Sequence, residues 1–193
     1  MIDNSVSIIL ASGSPRREEL LSEAGYKFRI VCPEIDESLF GMEGVSADKY
    51  AERLALVKAQ SVAWSFRDSF VVGADTVVDI DGEIIGKPAD AKDAERITRK
   101  LFSKAHKVIT GIAIVRLSDN IEIVKSDTTL VYPKKMSEEQ IAEHIKGGSW
   151  EDKAGAYAIQ ETGDEFVERI AGSLTNVMGM PMELLERMLK DIS

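Results

Sequence analysis

Ser12-Gly13-Ser14-Pro15-Arg16-Arg17 brings together what an anion needs. It follows the apolar run Ser7-Ile8-Ile9-Leu10-Ala11 and opens a helix, with Ser14 in N-cap position and Pro15 at the first helical residue. A small-residue turn offers backbone N–H groups, the helix start adds partial positive charge, and Arg16 and Arg17 add two guanidinium groups. A phosphate suits that combination, although the same residues also make an ordinary strand-to-helix connection. A second candidate is Asp75, held between small residues in Gly73-Ala74-Asp75-Thr76 within an otherwise apolar strand. A carboxylate there is costly unless it is paired, hydrogen-bonded or metal-bound, and its small neighbours leave room for a ligand. Lys87, fixed between Gly86 and Pro88, is a cation of the kind a phosphate site uses. Lys58 lies on a helix among Ala55 and Ala59, where it either snorkels to water or turns its ammonium into a cleft. Pro33-Glu34-Ile35-Asp36-Glu37-Ser38 crowds three carboxylates into a loop, a solvated run on its own and a source of hard oxygen ligands beside a phosphate.

The elements that must position these residues follow from periodicity. Tyr26 to Val31 alternates as a second strand, and Ser46 caps a long helix from about Ala47 to Ser65. Its stripe is Tyr50, Leu54, Val57, Ser61 and Trp64, with Ala51 and Ala55 beside it. Phe70 to Ile80 is apolar on both sides, as a central strand is, and Asp81-Gly82 turns it into a hairpin. Asp90 caps a helix to about Ser103. Strands follow at His106–Val115, Asn120–Val124 and Asp127–Tyr132. A capping box at Ser137 starts a helix to Lys146, on which His144 is read as a surface residue. His106, at a strand start, is read as structural. Gln160 ends a stretch from Trp150 in which small residues again surround polar ones, and its amide could read one edge of a nucleobase. Phe166–Ile170 is a further strand, and Pro181 opens a last helix with Met182, Leu185, Met188 and Leu189 inward. Met178, Met180 and Met182 are packing residues.

The whole chain narrows the classes. With 193 residues, 44% hydrophobic and 30% charged, it can bury the core of a globular protein, read here as one domain over 1–193. A net charge of −9 argues against binding a nucleic-acid polymer, yet a few local cations suffice for a small phosphorylated ligand. One cysteine, Cys32, and two histidines exclude a disulfide framework and disfavour structural zinc, so any metal would be a hard cation on carboxylates. No apolar run could span a bilayer, and the first residues lack the basic region of a signal peptide, which makes the cytoplasm the expected location. GxxxxGK[ST], GxGxxG and GxSxG are all absent.

Taken in order, Leu10–Arg17, Ile35-Asp36-Glu37, Lys58-Ala59-Gln60, Gly73–Val78, Gly86-Lys87-Pro88, His106–Gly111, Asp152–Gln160 and Gly179-Met180-Pro181 resemble the Maf family of nucleoside triphosphate pyrophosphatases along almost the whole chain. The resemblance implies an α/β fold of Maf/ITPase-like type, with a central mixed sheet flanked by helices, two lobes with a cleft, and often a homodimer. It implies cleavage between the α- and β-phosphates of a nucleotide, with Mg²⁺ or Mn²⁺ as the metal. By resemblance, Asp75 is the general base, and Ser12, Arg17, Glu37, Lys58 and Lys87 handle phosphate and metal, with Glu37 and Asp75 as the metal's ligands. Ser14 belongs to the turn that receives the nucleotide. Arg16, Thr76 and Gln160 carry the pattern of the branch that hydrolyses dTTP and UTP. Hydrolysis of modified nucleotides, which would cleanse the nucleotide pool, is a neighbouring expectation. A nucleotide-binding regulator of cell division, without catalysis, is a further alternative, which would need Arg16, Arg17, Lys58 and Lys87 but have less need of Asp75.

Overall fold

The computed structural model describes residues 8–148, 150–151, 155 and 166–192. Strand β1 (Ile8–Ala11) is buried throughout and lies parallel to both β2 (Phe28–Ile30) and β3 (Phe70–Ile80). From β3 onward the sheet is antiparallel, through β4 (Glu83–Ile85) on one side and β5 (His106–Arg116), β6 (Ile121–Pro133) and β7 (Val167–Ala171) on the other. The order is β2-β1-β3-β5-β6-β7, with β4 added to β3. This is the mixed sheet expected. Helices α1 (Pro15–Glu23), α2 (Ala47–Ala63), α3 (Ala91–Leu101), α4 (Glu138–Gly147), α5 (Leu174–Met178) and α6 (Met182–Lys190) flank it.

The local signals act where they were expected. Asp81 and Gly82 both take positive φ, 56° and 81°, which a two-residue hairpin turn requires. Asp90 accepts from the Asp93 N–H, and the Ser137–Gln140 capping box is complete. Ser14 and Ser46 stand at N-caps, although neither side chain makes a capping bond.

Strand alternation divides the core. Val71, Gly73, Asp75 and Val77 of β3 face α2, together with Ile109, Gly111 and Ala113 of β5. On the opposite face two apolar clusters share the same strands. One packs Val72, Ala74 and Ile112 against α1 and α6, and the other packs Val78 and Val108 against α3 and α4. Between them, at the paired positions Thr76 and Thr110, the face becomes polar. The two clusters therefore share β3 and β5 as a common backbone.

Four expectations need correction. The segments Asn120–Val124 and Asp127–Tyr132 belong to one strand, β6, because residues 121–131 pair continuously with β5 and carry the chain through Lys125-Ser126-Asp127. His144 is buried, at 8% exposure, rather than a surface residue, since α4 packs along α3. Helix α2 ends at Ala63, and its inward stripe finishes on Val62 and Ala63. Trp64, 68% exposed, and Ser61 lie outside that stripe.

Candidate active site

Helix α2 lies directly on the sheet. A Cβ on Gly73 would sit 2.2 Å from the Ala55 carbonyl oxygen, and one on Gly111 would sit 2.5 Å from the Ala51 carbonyl carbon. The space beside Asp75 that suggested room for a ligand is therefore filled by the α2 backbone, which corrects that expectation. Glycines in two adjacent strands and alanines at 51, 55 and 59 of the helix make this approach possible. Its consequence is that Lys58, on the same helical stripe, reaches the sheet instead of snorkelling to water.

Its ammonium Nζ donates to Asp75 Oδ1 at 2.6 Å and lies 2.8 Å from Glu37 Oε1. Lys58 and Asp75 are buried, whereas the Glu37 side chain is 47% exposed. Glu37 opens a 3₁₀ turn, Glu37–Leu39, that Asp36 caps by accepting from the Ser38 N–H. One cation thus joins a strand carboxylate to a loop carboxylate. Their acidities are pushed apart. Burial raises Asp75 above its ordinary value, and the nearby charges of Lys58 and Arg17 do not cancel that rise. Burial also pushes Glu37 up, but the hydrogen bond and charge of Lys58, with Lys87 and Arg17 behind, outweigh it and hold Glu37 low. Two carboxylates separated in this way suit a proton acceptor and a permanently ionised ligand.

Ser12, Ser14, Arg16 and Arg17 come together at the end of β1. Ser12 is buried, and its hydroxyl oxygen accepts from the Ser14 N–H at 3.2 Å and from Arg17 Nη1 at 3.1 Å. One N–H expected to be open in the turn is thereby satisfied. Arg17 also donates to the Ala74 carbonyl at 2.9 Å, the Gly179 carbonyl at 2.8 Å and Thr76 Oγ1 at 3.2 Å. All its described acceptors are neutral, so the full charge stays in the site. Burial lowers the Arg17 pKa, but a guanidinium remains charged at neutral pH. Lys87 follows β4, near enough for its charge to act on Glu37, and the Gly155 N–H bonds to the carbonyl of Gly86 beside it at 3.1 Å.

Two bonded sets thus stand side by side, Lys58 with Asp75 and Glu37, and Arg17 with Ser12 and Thr76, and the charge of Arg17 acts on both carboxylates; Ser14 and Lys87 adjoin, and Arg16 is next in sequence to Arg17. Gln160 lies outside the described residues. Depressions of about 530 Å³ along α3 and 440 Å³ beside the start of α2 share no residue with this cluster, so its chemistry, not cavity shape, marks the site. Two residues not singled out from the sequence join it: Thr110, within the motif stretch His106–Gly111, which bonds Thr76 at 3.0 Å, and Asn176, whose carbonyl accepts from Thr110 at 2.9 Å. The one hint was a threonine interrupting each of two apolar strands, and only their pairing shows that the interruptions meet.

Among the described residues no group of three or more metal-ligating side chains occurs. Two carboxylates nevertheless fit Mg²⁺ or Mn²⁺, since such an ion is commonly held by one or two carboxylates and completed by water and substrate phosphates.

The chain is similar to known proteins along almost its whole length. The family profile described as Maf-like protein matches residues 7–192. A protein of Ruminiclostridium cellulolyticum named dTTP/UTP pyrophosphatase is 41% identical over 187 residues, 97% of this chain and 96% of that one. One of the same name from Citrifermentans bemidjiense is 46% identical over 177 residues, 91% and 90% of the two chains. Among solved structures, the Staphylococcus aureus Ham1 protein superposes with a TM-score of 0.56 at 15% identity, over 97% of this chain and 100% of the other. A HAM1 protein from Coxiella burnetii gives 0.53, also at 15% identity, over 97% and 98%. Those two likenesses show the α/β fold. The profile and the sequence relatives go further, and by them this chain belongs to the Maf-like proteins.

Proposed function

We propose that this chain hydrolyses nucleoside triphosphates, dTTP and UTP foremost, between the α- and β-phosphates to give the monophosphate and pyrophosphate. The name its relatives carry supports the reaction and the two substrates. The observation that carries the reading is the pair Asp75 and Glu37, joined by Lys58 and shifted in opposite directions. Water attacks the α-phosphorus in line with the leaving pyrophosphate. Asp75, raised toward the working pH, takes the water proton as the bond to the β-phosphate oxygen breaks. Lys58 holds Asp75 and Glu37 in position. Arg17 and Lys87 offset the charge growing on the pyrophosphate, and Ser12, Ser14 and Arg16 shape its turn. Glu37 and Asp75 would hold Mg²⁺ or Mn²⁺, and such an ion, when bound, neutralises phosphate charge and lowers the pKa of water. Gln160, with Arg16 and Thr76 of the branch pattern, selects the pyrimidine.

The setting proposed is one domain, cytoplasmic, working on free nucleotide as a homodimer. No helix among the described residues is long and apolar enough to cross a membrane.

The test is pyrophosphate release from a panel of nucleoside triphosphates with Mg²⁺ or Mn²⁺, alongside Asp75→Asn. Turnover of dTTP and UTP but not ATP or GTP, lost in the variant, is the expected result. Turnover confined to modified nucleotides would discard the specificity, and unaltered activity in Asp75→Asn would discard the base. Gln160→Ala is expected to blur the choice among bases more than it slows dTTP.

A further inference from the structure

Asn176 is fully buried at the centre of a polar seam between the two apolar clusters. Its side-chain Nδ2 donates to the Val108 carbonyl at 2.9 Å and to Thr129 Oγ1 at 3.0 Å. Thr129 passes its own proton to the Ser173 carbonyl at 2.9 Å. The side-chain oxygen, Oδ1, is buried without a hydrogen-bond partner, which typically costs about 1–3 kcal/mol. An apolar residue would avoid that cost, so the two donated bonds have a use. They fasten the short helix α5 onto β5 and β6.

Fastened there, α5 reaches Arg17 by two routes. Gly179, at its C-terminal end, accepts directly from Arg17 Nε. Gly179 has φ +107°, and a Cβ on it would lie 3.4 Å from Thr76 Oγ1 and 3.6 Å from Arg17 Nε. The second route has a determined direction. Thr110 has one hydroxyl proton and gives it to the Asn176 carbonyl. In the 3.0 Å pair of hydroxyls Thr76 must therefore be the donor. With its proton committed, Thr76 Oγ1 can only present a lone pair, and Arg17 Nη2 donates to it. The chain runs Arg17 to Thr76 to Thr110 to Asn176, each link donating to the next.

We propose that Thr76, Thr110 and Asn176 form a positioning relay that, together with the acceptors on Gly179, Ser12 and Ala74, holds the Arg17 guanidinium in its plane. Thr76 then serves the reaction through Arg17, beside its part in the choice of pyrimidine. The guanidinium plane decides where the site's buried positive charge points, which matters more to a developing pyrophosphate than to a bound triphosphate. The consequence for turnover rests on the pyrophosphatase reading above, while the relay itself does not.

The test combines arginine side-chain NMR of the nucleotide-free protein with steady-state turnover of dTTP. In the unaltered protein the Arg17 Nη protons are expected as separate, slowly exchanging signals. Thr110→Val keeps shape and removes the hydroxyl. It should merge the Nη2 signals while leaving Nε–H, held by Gly179, in place. It should also lower kcat by about 10- to 100-fold with KM within about twofold, a misplacement effect. Thr110→Ser, which keeps the hydroxyl, should restore both. Thr76→Val cuts the same chain at its more exposed end and should reproduce the merged Nη2 signals and the loss of kcat, with the double variant's kcat no lower than that of either single one. Unchanged Nη signals in both valine variants would overturn the relay, as would failure of Thr110→Ser to rescue or multiplication of the two losses. If the unaltered protein turns over no nucleotide, the proposed function fails while the NMR comparison still decides the relay.

Discussion

A buried ammonium shared by two carboxylates is stable only as a set. Removing Lys58 as Lys58→Met leaves Asp75 buried without its cation, and breaking such a pair costs about 3 kcal/mol. The loss should show in chemical denaturation, and Lys58→Met/Asp75→Asn should recover most of it because the stranded charge is gone. Activity should fall by roughly 100-fold or more in both. Stability that failed to recover would mean that Lys58 matters for packing instead of charge. His106 gives a second prediction, in pH. Its Nδ1 lies 3.1 Å from the Leu101 carbonyl, which can only accept, so the neutral ring carries its proton there. Burial lowers its pKa from the ordinary 6.5. Below pH 6.5 the unfolded chain takes up a proton that the folded one resists, so stability is full above that pH and falls as pH drops toward the depressed folded value. Melting temperature measured against pH should show that slope, and His106→Gln should flatten it.

At the scale of elements, α2 and its two glycines decide the site. Gly73→Ala or Gly111→Ala forces the helix from the sheet at a cost of about 3 kcal/mol and draws Lys58 from Asp75, so stability and turnover should fall together. Gly147→Ala, at the end of α4 with nothing within 4 Å of a new Cβ, should instead gain about 0.5 kcal/mol and leave turnover alone. Urea titration of the three variants separates these outcomes. The same elements show what a sequence makes legible. The Asp81-Gly82 turn and the Ser137 capping box could be read directly, because each is a contract among neighbouring residues. The turn Ser12–Arg17 and the isolated Asp75 were also visible as candidates, since small residues around charge stand out in apolar runs. Gly73 was harder. A missing side chain marks a close approach without saying whether ligand or helix makes it. The continuity of β6 through its polar middle, and the burial of His144, depend on partners far along the chain. So does the bond from Arg17 to Gly179, separated by 162 positions.

For the whole molecule, the mixed sheet flanked by helices matches the architecture that the motif resemblance implied, with the Lys58–Asp75 pair on the α2 face of β3 and the Thr76–Thr110 pair on the other face, where the two apolar clusters meet. Hydrogen exchange should reflect this. Backbone amides of Asp75, Thr76, Thr110 and Gly111, paired across β3 and β5, should be among the slowest, and adding dTTP should hardly alter them. Residues 34–46 should exchange quickly and slow on binding; rapid exchange in the strands would contradict the prediction. Because 11-residue strands run unbroken beneath both clusters, the clusters are mounted on a single axle instead of joined by a flexible hinge. Spreading them would require twisting two fully laddered strands, a stiff mode compared with the swing of a loop. The bed of the site is therefore a fixed gauge against which a nucleotide is measured, and any grip must come from the chain that folds over it.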